Sequence, residues 1–474
     1  PPPASTRLLT IVAHVDHGKT TLADSLVESN GIISERLAGS IRYLDSLEEE
    51  QKRGITMRCS AIGLRHRYCP NPKADAQNVV VHLIDSPGHV DFSAEVTTSL
   101  LACDGALLVV DAVEGMCART HNILREAYAA QLVPVLVINK VDRLCTDLGL
   151  GCNEAYMRLR ELIESVNAAS AAMIRSARAL CSDDDNDSQN NESKNDEADT
   201  SKEEEEEGLW NFEPAKGNVV FCSALHGWGF TVPSLARSLF RSKTVPIKPP
   251  VLRQYLFDDV KYRRKDCKVV KWKREQSGAD DENMTMFSEF ALKPLWDAYE
   301  GVSTAAACVD VASGSVSKIK ADTPGMDGLL ASMQIGSTAS VVANNDGSDD
   351  LHSNPQTMEQ MQRILQKTGA NSLEAVLRAM LRRYRPLSDA VLDAACEHCP
   401  DPSVASSSIR TRALAVDDFP SDSRGSEAIA EETASVDLQR IQDAVRQCDI
   451  SPDAPTVAHV CKFVVTDRAS VTDS

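Results

Sequence analysis

Nine residues near the start, Ala13-His14-Val15-Asp16-His17-Gly18-Lys19-Thr20-Thr21, place a glycine, a lysine and paired threonine hydroxyls in a run suited to a polyphosphate. The apolar run Leu8 to Val12 precedes them and reads as a buried strand, and Leu22 to Val27 follows with apolar residues at helical spacing. Strand, loop and helix in that order turn backbone N–H groups and the positive end of a helix towards an anion. Lys19 then reaches the β- and γ-phosphates and the Thr20 hydroxyl holds Mg²⁺. Ala13 stands where the general pattern has its first glycine, a change that a negative φ accommodates.

Four more short motifs follow. In Asp85-Ser86-Pro87-Gly88-His89, the aspartate suits a magnesium-bound water, the Gly88 N–H suits a γ-phosphate, and His89 stands near an attacking water. An exposed Pro-Gly turn is the plainer reading of the same residues. In Asn139-Lys140-Val141-Asp142, the Asp142 carboxylate can accept from N1–H and the 2-amino group of guanine, a donor pair that adenine lacks. Asn139 would brace the loops and the Lys140 stem would cover the base. Ser223 and Ala224 offer backbone N–H groups to the guanine O6, and Thr56, in Arg53-Gly54-Ile55-Thr56, offers a second hydroxyl to Mg²⁺ from a loop that GTP would order. Each motif alone has an ordinary structural reading. Together, in this order, they specify a GTP-binding G domain.

The elements that position them are legible as alternating apolar runs and helical stretches. Val79–Ile84, Ala106–Val110, Val133–Ile138 and Val219–Cys222 join Leu8–Val12 as buried strands, with helices over Ala118–Ala130 and Asn153–Ala169 between them. That alternation predicts an α/β fold with a mostly parallel sheet and flanking helices, whose ligands sit beyond the carboxyl ends of the strands. Every motif above falls at such an end.

A chain of 474 residues has room for about two to four domains. No apolar run is long enough to span a bilayer, so no membrane partner is expected, and the N-terminus lacks the layout of a secretory signal. The 14 cysteines form no regular framework and read as free thiols of a reducing compartment, with Cys396-Glu397-His398-Cys399 a helix-end thiol pair rather than half a zinc site. Net charge is −19, but Asp183–Glu207 holds thirteen acidic residues against Lys194 and Lys202, which leaves −8 on the rest. That segment, within 182–208, reads as a disordered acidic insertion, and 343–356 and 403–435 look similarly loose. Lys261 to Arg274 carries eight basic residues with Tyr262 and Trp272, which suits either RNA phosphates or an exposed hairpin. Thr456–Val465 alternates as a strand does.

With these residues in view the chain resembles the translational GTPases, for which Ala13 to Thr20 and Asp85 to His89 are characteristic forms. Within them it is similar to the elongation factor 2 branch and most to the elongation factor-like GTPases of large-subunit maturation. The discriminating residues are Ser29 to Gly39, Arg42 to Ser46 and Glu50 to Met57. Elongation factor 2 itself usually has a cysteine where Gly54 stands. The resemblance implies a P-loop GTPase G domain over 1–225 and 373–402, an inserted α+β subdomain over 226–372, a linker over 403–452 and the first strand of a β-barrel domain over 453–474. It implies GTP as substrate, with Lys19, Thr20, Thr56 and Mg²⁺ neutralising phosphates, His89 positioning water on the ribosome, and Asp16 helping to hold a monovalent cation. It also implies cytoplasmic action on the large ribosomal subunit, release of the anti-association initiation factor six, and the Shwachman-Bodian-Diamond protein as partner. A translocating elongation factor 2 and a GTP-dependent scaffold that does not hydrolyse are the alternatives.

Overall fold

The computed structural model describes residues 2–33, 42–45, 48–69, 76–184, 208–273, 283–308, 373–405 and 444. Seven strands, β1 (Thr6–Ala13), β2 (Ser60–Tyr68), β3 (Gln77–Asp85), β4 (Gly105–Asp111), β5 (Val133–Asn139), β6 (Val219–Ser223) and β7 (Trp228–Phe230), form one sheet in the order β2-β3-β1-β4-β5-β6-β7. The five inner strands are parallel, and β2 and β7 close the edges antiparallel. The helices that matter below are α1 (Lys19–Ser29), α2 (Glu48–Arg53), α3 (Ser93–Leu101), α4 (Ala118–Ala129), α5 (Asp142–Thr146), α6 (Cys152–Asp184), α7 (Val232–Arg241), α8 (Pro249–Leu256), α9 (Lys293–Cys308), α10 (Leu373–Tyr384) and α11 (Leu387–His398).

The inner strands are apolar without interruption because helices cover both faces. Alternate residues divide between two cores. Leu9, Ile11, Leu107, Val109, Val135, Val137 and Val220 pack with Leu22 and Leu26 of α1 and Val391 and Ala395 of α11. Leu108, Val110, Leu136, Ile138 and Phe221 pack on the other face with Ile123 and Leu124 of α4 and Tyr156 and Leu159 of α6. The five buried runs expected from the sequence are the five inner strands, and α4 and the first half of α6 are the expected helices.

Three features differ from the expectation. β2 was not among the expected strands, because its run Arg65-His66-Arg67 is polar and Leu64 is its one fully buried residue; pairing with β3 over nine positions holds it at the edge. The sheet also continues past residue 225, where an inserted subdomain was expected to open. Phe221, Cys222 and Ser223 pair with Phe230, Gly229 and Trp228, so that boundary cuts through the sheet. Phe221 stacks on Phe230 and Phe257 at this edge, Phe287 packs tilted against Phe221, and the four rings join both sides of it into one core. Finally, α6 runs to Asp184, three residues into the expected acidic loop. Residues 185–207 of that loop, the loose stretch at 343–356, residues 406–435 of the one expected at 403–435, and the expected strand at 456–465 lie outside the described residues, while residues 403–405 belong to a helical turn, Pro402–Ala405.

Gly105 marks how tightly α11 closes on the sheet. A Cβ at this position would lie 2.8 Å from both Cys399 Cβ and Leu9 Cδ2. Gly105→Ala is expected to destabilise the domain by about 1–3 kcal/mol, the usual cost of overpacking a dense core. Urea unfolding reads this directly, and an unchanged midpoint would contradict the packing described.

Candidate functional site

The loop between β1 and α1 turns on two left-handed residues, Asp16 at φ 63° and Gly18 at φ 89°. Aspartate tolerates that region and glycine enters it freely. Gly18 is constrained a second time, since a Cβ there would overlap the Asn139 amide. No side chain caps α1, so its first N–H groups face outward into a cleft of about 320 Å³. The cleft is lined by His14, Val15, Asp16, Gly18, Lys19, Thr20 and Thr21 from this loop, Gly88 and His89 from beyond β3, Lys140 from beyond β5, and Arg42, Gly54, Ile55 and Thr56 from the chain before β2. The other expected site residues, Ala13, His17, Asp85, Asn139, Asp142, Ser223 and Ala224, do not line it and are all buried.

Lys19 Nζ lies 3.4 Å from Asp85 Oδ1, with 7% and 0% of their side chains exposed. Burial pushes the Asp85 carboxyl above the usual carboxylate range, against the pull of Lys19. The Thr20 and Thr56 hydroxyls are 2.9 Å apart. Thr56 donates to Asp45 Oδ1 at 2.9 Å, which leaves Thr20 as the donor between the two threonines. Arg42 lies 3.4 Å from the other Asp45 oxygen. The buried Glu50 carboxylate accepts from Met57 N and Arg58 N at 2.8 and 2.9 Å, and its carbonyl accepts from Gly54 N at 2.8 Å. Two carboxylates therefore hold the Thr56 loop, and neither had a role in the sequence-based expectation. Their signal was there, as acids shortly before Arg53-Gly54-Ile55-Thr56, but an acidic helix on the surface would look the same.

The far side of the site is tied together by Asn139. Its Nδ2 donates to His17 O at 2.9 Å and its Oδ1 accepts from Ala224 N at 2.9 Å. Lys140 Nζ donates to Asp16 O and lies 2.8 Å from Asp111 Oδ2. Asp142 is 5% exposed, and its Oδ1 has no hydrogen-bond partner among the described residues. A buried acceptor without a donor fits a base that presents N–H groups, and the outward N–H groups with the threonine pair beside Asp85 fit a polyphosphate with a divalent cation.

His89 is partly exposed, and its Nδ1 accepts from Asp91 N at 3.2 Å, which puts the proton of the neutral ring on Nε2. His17 is buried, and burial holds its pKa below the ordinary value, against the pull of Asp111. Its Nδ1 accepts from Asp111 N at 3.3 Å, so Nε2 carries the proton towards Glu114 at 3.4 Å, with Cys117 Sγ at 3.7 Å. That protonation makes the trio a hydrogen-bonded support for the loop rather than a metal cage.

A family model described as the elongation factor Tu GTP binding domain matches residues 4–261, more than half of the chain. The chain belongs to this family. It is 33% identical over 470 residues to the Mus musculus protein named "Elongation factor-like GTPase 1", covering 98% of this chain and 36% of that protein. The Homo sapiens protein of the same name is 33% identical over 474 residues, 99% of this chain and 36% of its own. A Saccharomyces cerevisiae protein named "Ribosome assembly protein 1" is 40% identical over 307 residues, 64% of this chain and 27% of its own. The chain thus spans about a third of the length of these relatives. It is a GTPase domain of the translational type.

Outside the nucleotide cleft, this translational GTPase domain resolves two open readings. Residues 261–271 form a hairpin of β8 (Val260–Arg263) and β9 (Lys268–Lys271). Arg264 pairs with Glu289 at 2.7 Å, Arg263 with Asp266 at 3.3 Å, and Lys261 Nζ bonds Asn283 at 2.9 Å, while the Trp272 indole donates to Asn283 O. Part of the basic run is therefore spent within the domain. Cys396 and Cys399 are free and buried, and burial pushes both thiols up to about 12, as suits packed thiols. No helix among the described residues is long and apolar enough to cross a membrane.

Asp24 gives the translational GTPase domain a pH dependence. It is fully buried, accepts from Tyr43 N at 2.9 Å, and its carboxyl is pushed up to about 6 by burial, with Asp85 and Asp45 adding to the rise. Between roughly pH 4 and 6 the folded chain keeps a proton that the unfolded chain has lost, so stability falls as pH rises through that window. Asp24→Asn removes the effect. Relative to wild type, the variant is expected to be about 2 kcal/mol better off at pH 7 than at pH 4.5, by urea unfolding without nucleotide. An equal stability change at both pH values would contradict the assignment.

Proposed function

We propose that the chain is the GTP-hydrolysing part of a ribosome-activated GTPase that drives a late step in maturation of the cytoplasmic large ribosomal subunit. The observation that carries this reading is 33% identity across 98% of the chain to a protein named for elongation factor-like GTPase activity, over a site whose loops converge on one cleft. The ribosome-assembly name of the yeast relative supports the same step. The expected outcome of hydrolysis is release of the anti-association initiation factor six, with the Shwachman-Bodian-Diamond protein as partner on the subunit.

In this reading Lys19 and the N–H groups of residues 18–21 take the β- and γ-phosphates, and Thr20, Thr56 and Asp85 would hold Mg²⁺, which would supply neutralisation of phosphate charge. Asp142 accepts from the guanine edge, Asn139 keeps the loops in register, the Lys140 stem covers the base, and the backbone of Ser223 and Ala224 faces O6. Asp16, at the open mouth of the cleft, helps hold a monovalent cation. His89 orients the attacking water by hydrogen bonding once the ribosome fixes its ring. In-line attack of that water on the γ-phosphorus breaks the bond to the β-phosphate oxygen, and GDP leaves. The water's protons pass to the released phosphate and solvent, and Lys19 faces the charge that develops.

In the full-length protein, His89→Ala is expected to lower hydrolysis stimulated by large subunits about 100-fold or more while GDP affinity stays within about threefold. Cells relying on the variant should keep the anti-association factor on free large subunits. Undiminished stimulated hydrolysis, or normal release of the factor, would overturn the proposal.

A further inference from the structure

Asp142 does not stand alone in its pocket. Its Oδ2 lies 3.4 Å from His226 Nδ1, and that same nitrogen lies 2.6 Å from the Tyr299 hydroxyl. The Tyr299 oxygen in turn accepts from the Trp228 indole N–H at 2.8 Å. All four side chains are buried, Asp142 at 5%, His226 at 7%, Trp228 at 0% and Tyr299 at 6% exposure. They come from four separate places: the start of α5, the turn after β6, the edge strand β7, and α9.

The chemistry of the chain orders its protons. Trp228 is a donor only, so the Tyr299 oxygen is an acceptor towards it. An aspartate that accepts two N–H bonds from a base must be ionised, and its two oxygens keep further lone pairs for a donor from the protein. In the tautomer this role requires, Nδ1–H of His226 sits between Asp142 Oδ2 and the Tyr299 oxygen. The main chain that carries the ring is fixed as well, because the His226 backbone N–H donates to Ser223 Oγ at 3.2 Å. One Asp142 oxygen thereby faces the His226 ring while the other, Oδ1, has no hydrogen-bond partner among the described residues. Half-anchored and half-vacant is the state a recognition carboxylate needs before its ligand arrives, since its orientation then costs nothing on binding. Burial, with Asp142 adding to it, raises the Tyr299 hydroxyl well above its ordinary value, so it stays protonated and neutral beside the carboxylate.

We propose that His226 is a positioning residue for guanine recognition, aiming Asp142 at the base edge, and that Tyr299 and Trp228 extend this base site into helix α9. The inference rests on the assignment of Asp142 to the base. His226 touches no nucleotide in this account; it acts through Asp142.

Guanine and hypoxanthine nucleotides separate this role from a merely structural one. GDP offers Asp142 two N–H groups and IDP offers one, so the ratio of IDP to GDP dissociation constants reports how well Asp142 is aimed. In the full-length protein, His226→Ala is expected to lower that ratio about 5-fold or more, and Tyr299→Phe, which removes only the hydroxyl, about 3-fold. His226→Asn, whose amide N–H can occupy the place of Nδ1–H, should restore most of the ratio. If His226→Ala and Tyr299→Phe weaken GDP and IDP by the same factor, the residues are packing alone and the proposal is overturned. Asp142→Asn must collapse the ratio too. If it does not while the other variants are silent, the base assignment itself fails; if it does and they are silent, only the positioning role fails.

Discussion

Lys19 and Asp85 face each other at 3.4 Å with almost none of either side chain in water. A buried ion pair seldom repays its own desolvation, so it is a poor device for holding a fold together. Around it the imbalance grows. Asp24 and Asp45 are buried within electrostatic reach, and Asp85 and Asp24 both have carboxyls raised by burial and by their acidic neighbours. The cleft above them presents the bare N-terminus of α1. Acidic groups below and amide donors above are satisfied together by a divalent cation and an anion bound as one unit. The geometry makes physical sense when a magnesium nucleotide is what completes it.

The rest of the molecule keeps those groups in place. Five parallel strands end at one rim, and the loops leaving β1, β3, β5 and β6 meet there because the register of the sheet brings them there. Side-chain bonds then lock loop to loop, with Asn139 spanning from His17 to Ala224 and Asp45 and Glu50 fastening the chain that carries Thr56. Helix α9, nearly 80 residues along the chain from Ser223, reaches back to the same rim through Tyr299. The candidate site is thus supported from both sides of the point where an inserted unit was expected to begin.

How much of this was legible in the sequence follows from how local each signal is. The inner strands and the motif loops declare themselves, because burial on two faces writes an unbroken apolar run and phosphate chemistry needs particular residues in adjacent places. Edge strands do not. β2 shows Arg65, His66 and Arg67 to solvent or to α11, and β7 is three residues long, so neither carries an apolar pattern that distinguishes it from a loop. Long-range polar partners were equally hidden. Nothing near His226 in sequence points to Tyr299, and Asp45 could be recognised as a support for Thr56 only once the fold had placed them 2.9 Å apart.

The measurement that tests the account most directly is competition for a fluorescent GDP analogue bound to the protein in Mg²⁺, using unlabelled GDP and ADP. Displacement by GDP at concentrations at least about a thousandfold below those needed for ADP is the result that five converging loops and an anchored Asp142 predict. Equal displacement by both nucleotides, or no binding of the analogue at all, would contradict it.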